Sequence, residues 1–408
     1  MHVFVRLFVS TSVCAPALLA QERLTLRDAV SQAITANPQI MAAEARVSIA
    51  EGLRRQAGLG PNPRLVLQSE NTRFTGSPSF SYSRDADSYA FLVQTIETAG
   101  KRHRRVDLAV ENVRKSEAEE HLQRQQIITR VNAAYWAAVG AARTRDLLRQ
   151  EASRFATVVQ YHRDRVREGA AAEVDLIRIE VERDRLVTSA QTVALEAERA
   201  RIALLREIGR TEFPAIEFAA DLEQIRSVAT IDLSQVLAKR AEMQIARQSV
   251  EQARANERLQ RANGKPDPDV QFGYKRTFGF DTLYAAVQIP LPFRNRNQGQ
   301  IQAAAAENIV SQAGLALAQA VIRAEVESAK KDYDLRGKLL EETLRPMRAR
   351  TEEVYRIETA AYREGVSNTL RLLDAERSRI ETLVMYTRAL SEYQQSASSL
   401  EAAQGILP

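Results

Sequence analysis

The chain has 408 residues, with 57 Lys and Arg against 52 Asp and Glu, 27% charged residues and only 6% aromatic ones. Ala, Glu, Arg, Leu and Gln dominate, which is the composition of long helices and excludes a compact sandwich or a barrel complete in one chain. A net charge of +5 does not make a nucleic-acid binder here, because the arginines alternate with glutamates along helix faces and form no one-sided basic stripe.

Residues 1–20, MHVFVRLFVSTSVCAPALLA, read as a secretory signal, with Arg6 ahead of an apolar run and cleavage after Ala20. Cys14, the only cysteine, lies inside that segment, so the mature chain has none, and Thr11-Ser12-Val13 before it argues against a lipid anchor. Nothing later is apolar for the roughly 18 residues that a membrane-spanning helix needs, so any contact with a membrane falls to strands.

The first structural unit spans 21–232. Thr25 and Asp28 open a helix that pauses at Asn37-Pro38, resumes to about Ala57 and is ended by Gly58 to Pro63. From Arg64 the period changes to two, which predicts strands at about 64–75 and 88–97. Gly100 precedes a long helix over about 101–167, in which Leu148, Ala152, Phe155, Val159, His162 and Val166 keep four-three spacing. A tip at about 168–172, a returning helix at 173–208 and a connector at 209–232 containing Pro214 complete the unit.

The second unit, 233–408, repeats that order. A helix ends at Gly264 to Pro268, strands follow at about 269–276 and 282–289, and Phe272 and Tyr274 share one strand face. A helix of about 298–363 then descends, bent by Pro346, to a tip at about 364–368, and a last helix occupies about 369–404. Leu340, Leu344, Met347, Thr351, Val354 and Ala361 give this descending helix a coiled-coil seam. The two tips match directly: REGAAAEVDLIRIEVER against REGVSNTLRLLDAERSR pairs Gly169 with Gly365, Leu176 with Leu372, Glu180 with Glu376 and Arg183 with Arg379. The architecture is one unit made twice.

Four strands cannot close a barrel, and each unpaired backbone group at an open sheet edge in lipid costs several kcal/mol. If the hairpins enter a membrane, other copies of the chain must complete the sheet.

The doubled order of helix, strand hairpin, long helix, glycine tip and returning helix resembles the TolC-type outer-membrane efflux ducts, as do the Asn37-Pro38-Gln39-Ile40 start and the Gly-x-x-x-x-x-[DR]-L-[IL] tips. The stretch Gln94 to Arg105, QTIETAGKRHRR, further resembles the cobalt-zinc-cadmium efflux outer-membrane components. The resemblance implies a mainly α fold with a small transmembrane β part. In it, a homotrimer forms a twelve-stranded β-barrel in the outer membrane that continues into a periplasmic α-helical barrel. It also implies no catalysis and no cofactor, a periplasmic adaptor, an inner-membrane RND-type pump driven by protons, and export of heavy-metal cations or drugs.

Carried over by position, Glu168, Gly169 and Ala170 with Glu364, Gly365 and Val366 are the adaptor-docking tips, and Asp175, Tyr362, Arg371 and Asp374 ring the periplasmic aperture. Arg371 departs from the pattern, standing where an acidic residue is usual. This suggests a closed gate in which Tyr362 and Arg371 reach Asp175 on a neighbouring helix; the alternative is that Arg371 pairs with Asp374 within its own helix.

Enzymatic readings have little to use. His103, His121 and His162 lack a metal-ligand pattern, and His162 reads as a packed or pore-side residue. Thr98 to Arg102 lacks the first glycine and the Ser or Thr of a phosphate loop, and no Ser-His-Asp grouping stands out. A soluble coiled-coil scaffold would explain the seams, but not the recurrence of proline-bounded alternating hairpins in both halves.

Overall fold

The computed structural model describes residues 22–229 and 231–406, so the signal segment with Cys14 lies outside it. β1 (Glu22–Leu24) leads into α1 (Leu26–Ala36), which is opened by a reciprocal cap. Thr25 Oγ1 accepts from the Asp28 N–H at 3.1 Å while the Asp28 carboxylate accepts from the Thr25 N–H at 3.3 Å. At the break before α2 (Pro38–Ala57), Asn37 accepts from the Gln39 N–H at 2.9 Å and donates to the Glu207 carbonyl at 3.0 Å. That second bond pins the N-terminal helices to the end of α5 (Glu173–Ile208), where the chain leaves through Gly209 at φ 93°. A side chain at Gly209 would press on the Asn37 backbone.

β2 (Arg64–Glu70), α3 (Tyr82–Asp85) and β3 (Asp87–Thr95) follow, and then α4 (Lys101–Arg167), one helix of 67 residues. At the usual rise it is about 100 Å long. After α5, β4 (Ile216–Phe218) pairs in parallel with β1, a contact absent from the sequence reading, which left 209–232 as a plain connector. α6 (Leu233–Lys239), α7 (Ala241–Asn263), β5 (Asp269–Thr277) and β6 (Phe280–Gln288) open the second half. α8 (Gln298–Lys338), a π-helical turn (Leu339–Leu344), α9 (Arg345–Arg363) and α10 (Thr369–Ala403) complete it.

The first hairpin differs from expectation at one end. β2 stops at Glu70 rather than near residue 75, because Asn71 turns to φ 59° and leaves the extended region. The second hairpin is tighter than expected, with strands to Thr277 and from Phe280 joined by Phe278 and Gly279, both at positive φ. All four long strands form one antiparallel sheet in the order β2-β3-β5-β6. The hairpins of the two halves therefore meet through β3 and β5, where Gly273 lies opposite Phe91. A Cβ on Gly273 would overlap the Ala90 carbonyl and Phe91, so glycine is what lets Phe91 lie flat on the sheet beside Tyr284, ring centroids 4.8 Å apart.

The main core sits about halfway down the helical body. Ile127, Val131, Tyr135, Trp136 and Val139 of α4 pack there against Leu204 and Leu205 of α5, Tyr386 and Leu390 of α10, and Leu340 and Leu344 of the π turn. α4 and α10 cross so closely that a Cβ on Gly140 would overlap Ser391, whose hydroxyl donates to the Trp136 carbonyl at 2.8 Å. Tyr393 and Gln394 of α10 hold the connector down, Tyr393 Oη donating to the Arg226 carbonyl at 3.1 Å and Gln394 Nε2 to that of Gln224 at 2.7 Å.

The expected single descending helix is divided. Pro346 has no N–H for the carbonyl four residues back, and the ladder loosens into the π turn just before it, with Leu340 and Leu344 still buried. A second difference concerns the membrane. By length and composition the helix Gln298–Arg363 contains an apolar window sufficient to cross a bilayer, contrary to the sequence reading, and 6% of that window is buried within the chain. Ile309, Val310 and Leu317 of α8 are all exposed.

Gly140→Ala should lower stability by about 2 kcal/mol through overpacking at the α4–α10 crossing. Adding Ser391→Gly removes the overlapping atoms, so in chemical denaturation the double variant should lose at least about 1 kcal/mol less than the sum of the two single changes.

Candidate functional site

The sheet sorts its side chains by face. Leu65, Leu67, Leu92, Val270, Phe272, Tyr274, Leu283 and Val287 point one way and are exposed, Leu67 at 73% and Phe272 at 60%. The register puts Gln68, Glu70, Thr95, Gln271, Lys275, Thr282 and Gln288 on the other face, with Tyr89, Phe91 and Val93 among them. Apolar on the outward face and polar on the inward one is the pattern of a lipid-facing barrel wall. Both edge strands, β2 and β6, pair on one side only.

The stretch Gln94 to Arg105 lies where the sheet meets the helices. Lys101 is buried there, its ammonium donating to the Lys265 carbonyl at 2.6 Å and to Asp267 at 2.7 Å. Thr98 N–H donates to the same Asp267 at 2.7 Å, and Arg105 pairs with Glu97. This knot joins the α4 start of the first half to the loop before β5 of the second, a structural task for residues that the sequence flagged by resemblance.

At the far end stand the two tips. Gly169 at φ 71° and Gly365 at φ 76° close α4 and α9, and Ala170 N–H and Val366 N–H return to the Arg165 and Ala361 carbonyls at 2.8 and 2.9 Å. Asn368 caps α10 by accepting from the Arg371 N–H at 3.0 Å. Glu168, Gly169, Ala170, Glu364, Gly365 and Val366 are all exposed, Val366 conspicuously so for an apolar side chain.

The four aperture residues do not gather within one chain. Asp175 faces Arg178 of its own helix at 3.6 Å. Arg371 and Asp374 are exposed and, among the described residues, have no ion-pair partner, so the pairing of these two within α10 is not formed. Tyr362 is buried, and its hydroxyl meets His162 Nδ1 of α4 at 3.2 Å rather than Asp175. His162 is 1% exposed, and Arg165 lies over the Tyr362 ring at 6.0 Å.

About three helical turns above this pair along α4 is a second polar cluster that the sequence did not single out. Arg379 of α10, 3% exposed, donates to Glu151 of α4 at 2.5 Å and to Glu376 at 3.0 Å, and its guanidinium lies 4.6 Å over the Tyr355 ring of α9. Burial lowers the affinity of Arg379 for its proton, but the two carboxylates more than offset this, so its pKa is raised. The hint was present in the repeat: Arg379 and Glu376, three apart, align with Arg183 and Glu180. Nothing local points to Glu151, which lies 228 residues away.

Arg379→Met leaves buried Glu376 without a counter-charge and Glu151 with Arg154 alone, at 3.4 Å, and should cost about 3 kcal/mol. Arg183→Met, at the repeat-equivalent but half-buried position whose only ion-pair partner among the described residues is the exposed Asp184, should change chemical denaturation by less than about 0.5 kcal/mol.

Residues 29–210 match the family model described as outer membrane efflux protein. The chain is 25% identical over 390 residues to the cobalt-zinc-cadmium resistance protein CzcC of Cupriavidus metallidurans, covering 94% of this chain and 90% of that protein. Its fold matches that of a membrane protein from Pseudomonas aeruginosa at TM-score 0.80 and 20% identity, over 93% of both chains. It also matches the open-state MtrE outer-membrane channel of Neisseria gonorrhoeae at TM-score 0.78 and 20% identity, over 93% of this chain and 89% of that one. With the outer membrane efflux match over residues 29–210, a relative aligned along nearly its whole length, and a sheet and helical body built alike, the chain is similar throughout to the TolC-type ducts of the outer membrane.

Proposed function

We propose that three copies of this chain form the exit duct of a tripartite pump, passing cargo from a periplasmic adaptor and a proton-driven inner-membrane transporter of the RND type through the outer membrane. The observation that carries the reading is the sheet: an exposed apolar face, an opposite polar face and two edges unpaired within the chain. In hydrocarbon such edges must pair, and the only strands certain to be at hand are those of other copies. Three four-stranded sheets would give a barrel of twelve strands, with the helical bodies below lining a tube about 100 Å long in the periplasm. The apolar side of α8 around Ile309, Val310 and Leu317 would then be covered by a neighbouring copy.

The cargo favoured is a heavy-metal cation, on the strength of the CzcC relative, with drugs as the second class. The exposed glycine tips suit adaptor docking, since six residues around Gly169 and Gly365 are exposed and their backbone turns are closed locally. Among the described residues Asp175, Arg371 and Asp374 make no ion pair across helices, which suits a partner on a neighbouring copy at the aperture.

Detergent-extracted membrane protein should have the mass of three chains by light scattering after subtraction of detergent. A monomer, or recovery in the soluble fraction alone, would return the chain to a coiled-coil scaffold. In planar bilayers the protein should conduct, and Asp175→Ala should raise single-channel conductance; unchanged conductance would remove Asp175 from the aperture.

A further inference from the structure

The helices α9 and α10 form the hairpin that carries the second tip, and α9 touches α4 with little apolar surface. The small core near the tip joins Phe155 and Val159 of α4 to Ile179 of α5, with Leu373 of α10 packed beside them and no residue of α9. Among the described residues the only side-chain hydrogen bond from α9 to α4 is that of Tyr362 to His162 Nδ1. The rings lie 5.3 Å apart between centroids. His162 and Tyr362 both line a cleft of about 380 Å³ with walls from all four helices, a route by which water and protons can reach them.

From this geometry we infer that His162 is a gating residue: as a neutral ring it holds Tyr362, and with it α9, against α4, and on protonation it lets go, so that acid on the tip side loosens the aperture. The inference rests on the duct reading and adds a residue and a signal to it.

Protonation has nowhere favourable to go in the closed arrangement. His162 Nε2 is buried and has no hydrogen-bond partner, so the N–H it carries whenever Nδ1 accepts from Tyr362 is already unsatisfied, and the added charge finds no partner there. A second N–H, placed at Nδ1, turns the Tyr362 hydroxyl from donor to acceptor. The neighbouring charges oppose protonation further: Arg165 of α4 is adjacent and Arg363 of α9 lines the cleft. Asp175 of α5 pulls the other way, and Glu376 of α10 is engaged by Arg379. Tyr161 of α4 and Tyr355 of α9 supply ring faces or hydroxyls and no countercharge. Burial first, then Arg165, holds the His162 pKa below its ordinary value, against the smaller opposing pull of Asp175. The sign follows. With its folded pKa below that of a free imidazole, the tie is fully present above about pH 6.5 and is lost as pH falls through the folded pKa.

The test uses the full-length trimer in a planar bilayer, with pH on the tip side lowered from about 7.5 to about 5, the span in which imidazole titrates. Open probability of the unchanged protein should rise about fivefold, the population equivalent of one hydrogen bond of about 1 kcal/mol. His162→Gln should lack that rise. Tyr362→Phe should already be raised near neutral pH and respond less to acid. An equal acid response in His162→Gln and the unchanged protein, or no response in the latter, overturns the inference. Backbone hydrogen exchange of α9 around Tyr362, compared between the same proteins at each pH, reads the tie without conduction. Protection lost with acid in the unchanged protein and retained in His162→Gln supports the inference; matching exchange in the two overturns it. Absence of conduction in every variant counts against the duct reading alone.

Discussion

Backbone hydrogen bonding at two strand edges governs most of what this chain does. β2 and β6 each present one row of N–H and C=O groups with no strand partner among the described residues, on a sheet whose outward face is Leu65, Leu67, Leu92, Phe272 and Leu283. Water could satisfy those groups, but water would meet the leucines; lipid accepts the leucines but not the groups. The proposed pairing with strands of other copies would meet both demands. The same incompleteness appears in the helices, since α8 buries only Ala304 and Ile322 over 41 residues.

Stability is spread unevenly along the helical body. Around Tyr135 and Leu204, apolar packing from five helices and the π turn fixes the middle, and the Lys101 knot fixes the junction with the sheet. Toward the tips apolar packing thins to a small cluster about Phe155, and specific polar contacts take over: Arg379 with Glu151, then Tyr362 with His162. Dispersed apolar contact yields gradually, whereas a single buried hydrogen bond or ion pair is either made or broken.

What the sequence disclosed follows from how local the cause is. Gly169 and Gly365 sit in left-handed turns that few other residues adopt, so their role is written in one position each. The alternation of Leu65 with Val66, or of Phe272 with Gly273, is a property of neighbours and reads directly as two sheet faces. The three-residue pairing of β1 with β4 is too short to carry a period. The partner of Tyr362 lies 200 residues away, and that of Arg379 lies 228 away. Such pairs are set by which helix faces meet, and periodicity in one helix does not say which face meets which neighbour. The family resemblance pointed to Tyr362 and supplied a carboxylate as its partner; within the chain the partner is an imidazole.

The two halves are copies, yet the residues that reach across to α4 belong to the second: Arg183, the counterpart of Arg379, is half-buried and pairs with its neighbour Asp184, and Val166 stands in place of Tyr362. The π turn at Leu339–Leu344 bears on why they diverge. α4 runs to its tip without such a turn, whereas the second descending helix takes in an extra residue just above Pro346. One added residue rotates everything below it by about 100° around the helix axis. The two hairpins therefore reach the tip out of phase, presenting different stripes to their neighbours although they descend from one ancestor. In the proposed ring of three chains, six similar ends would then alternate in kind, and rotational symmetry at the mouth would drop from sixfold to threefold. Duplication would supply the circumference of such a tube, and a slip of one residue would make every other stave distinct.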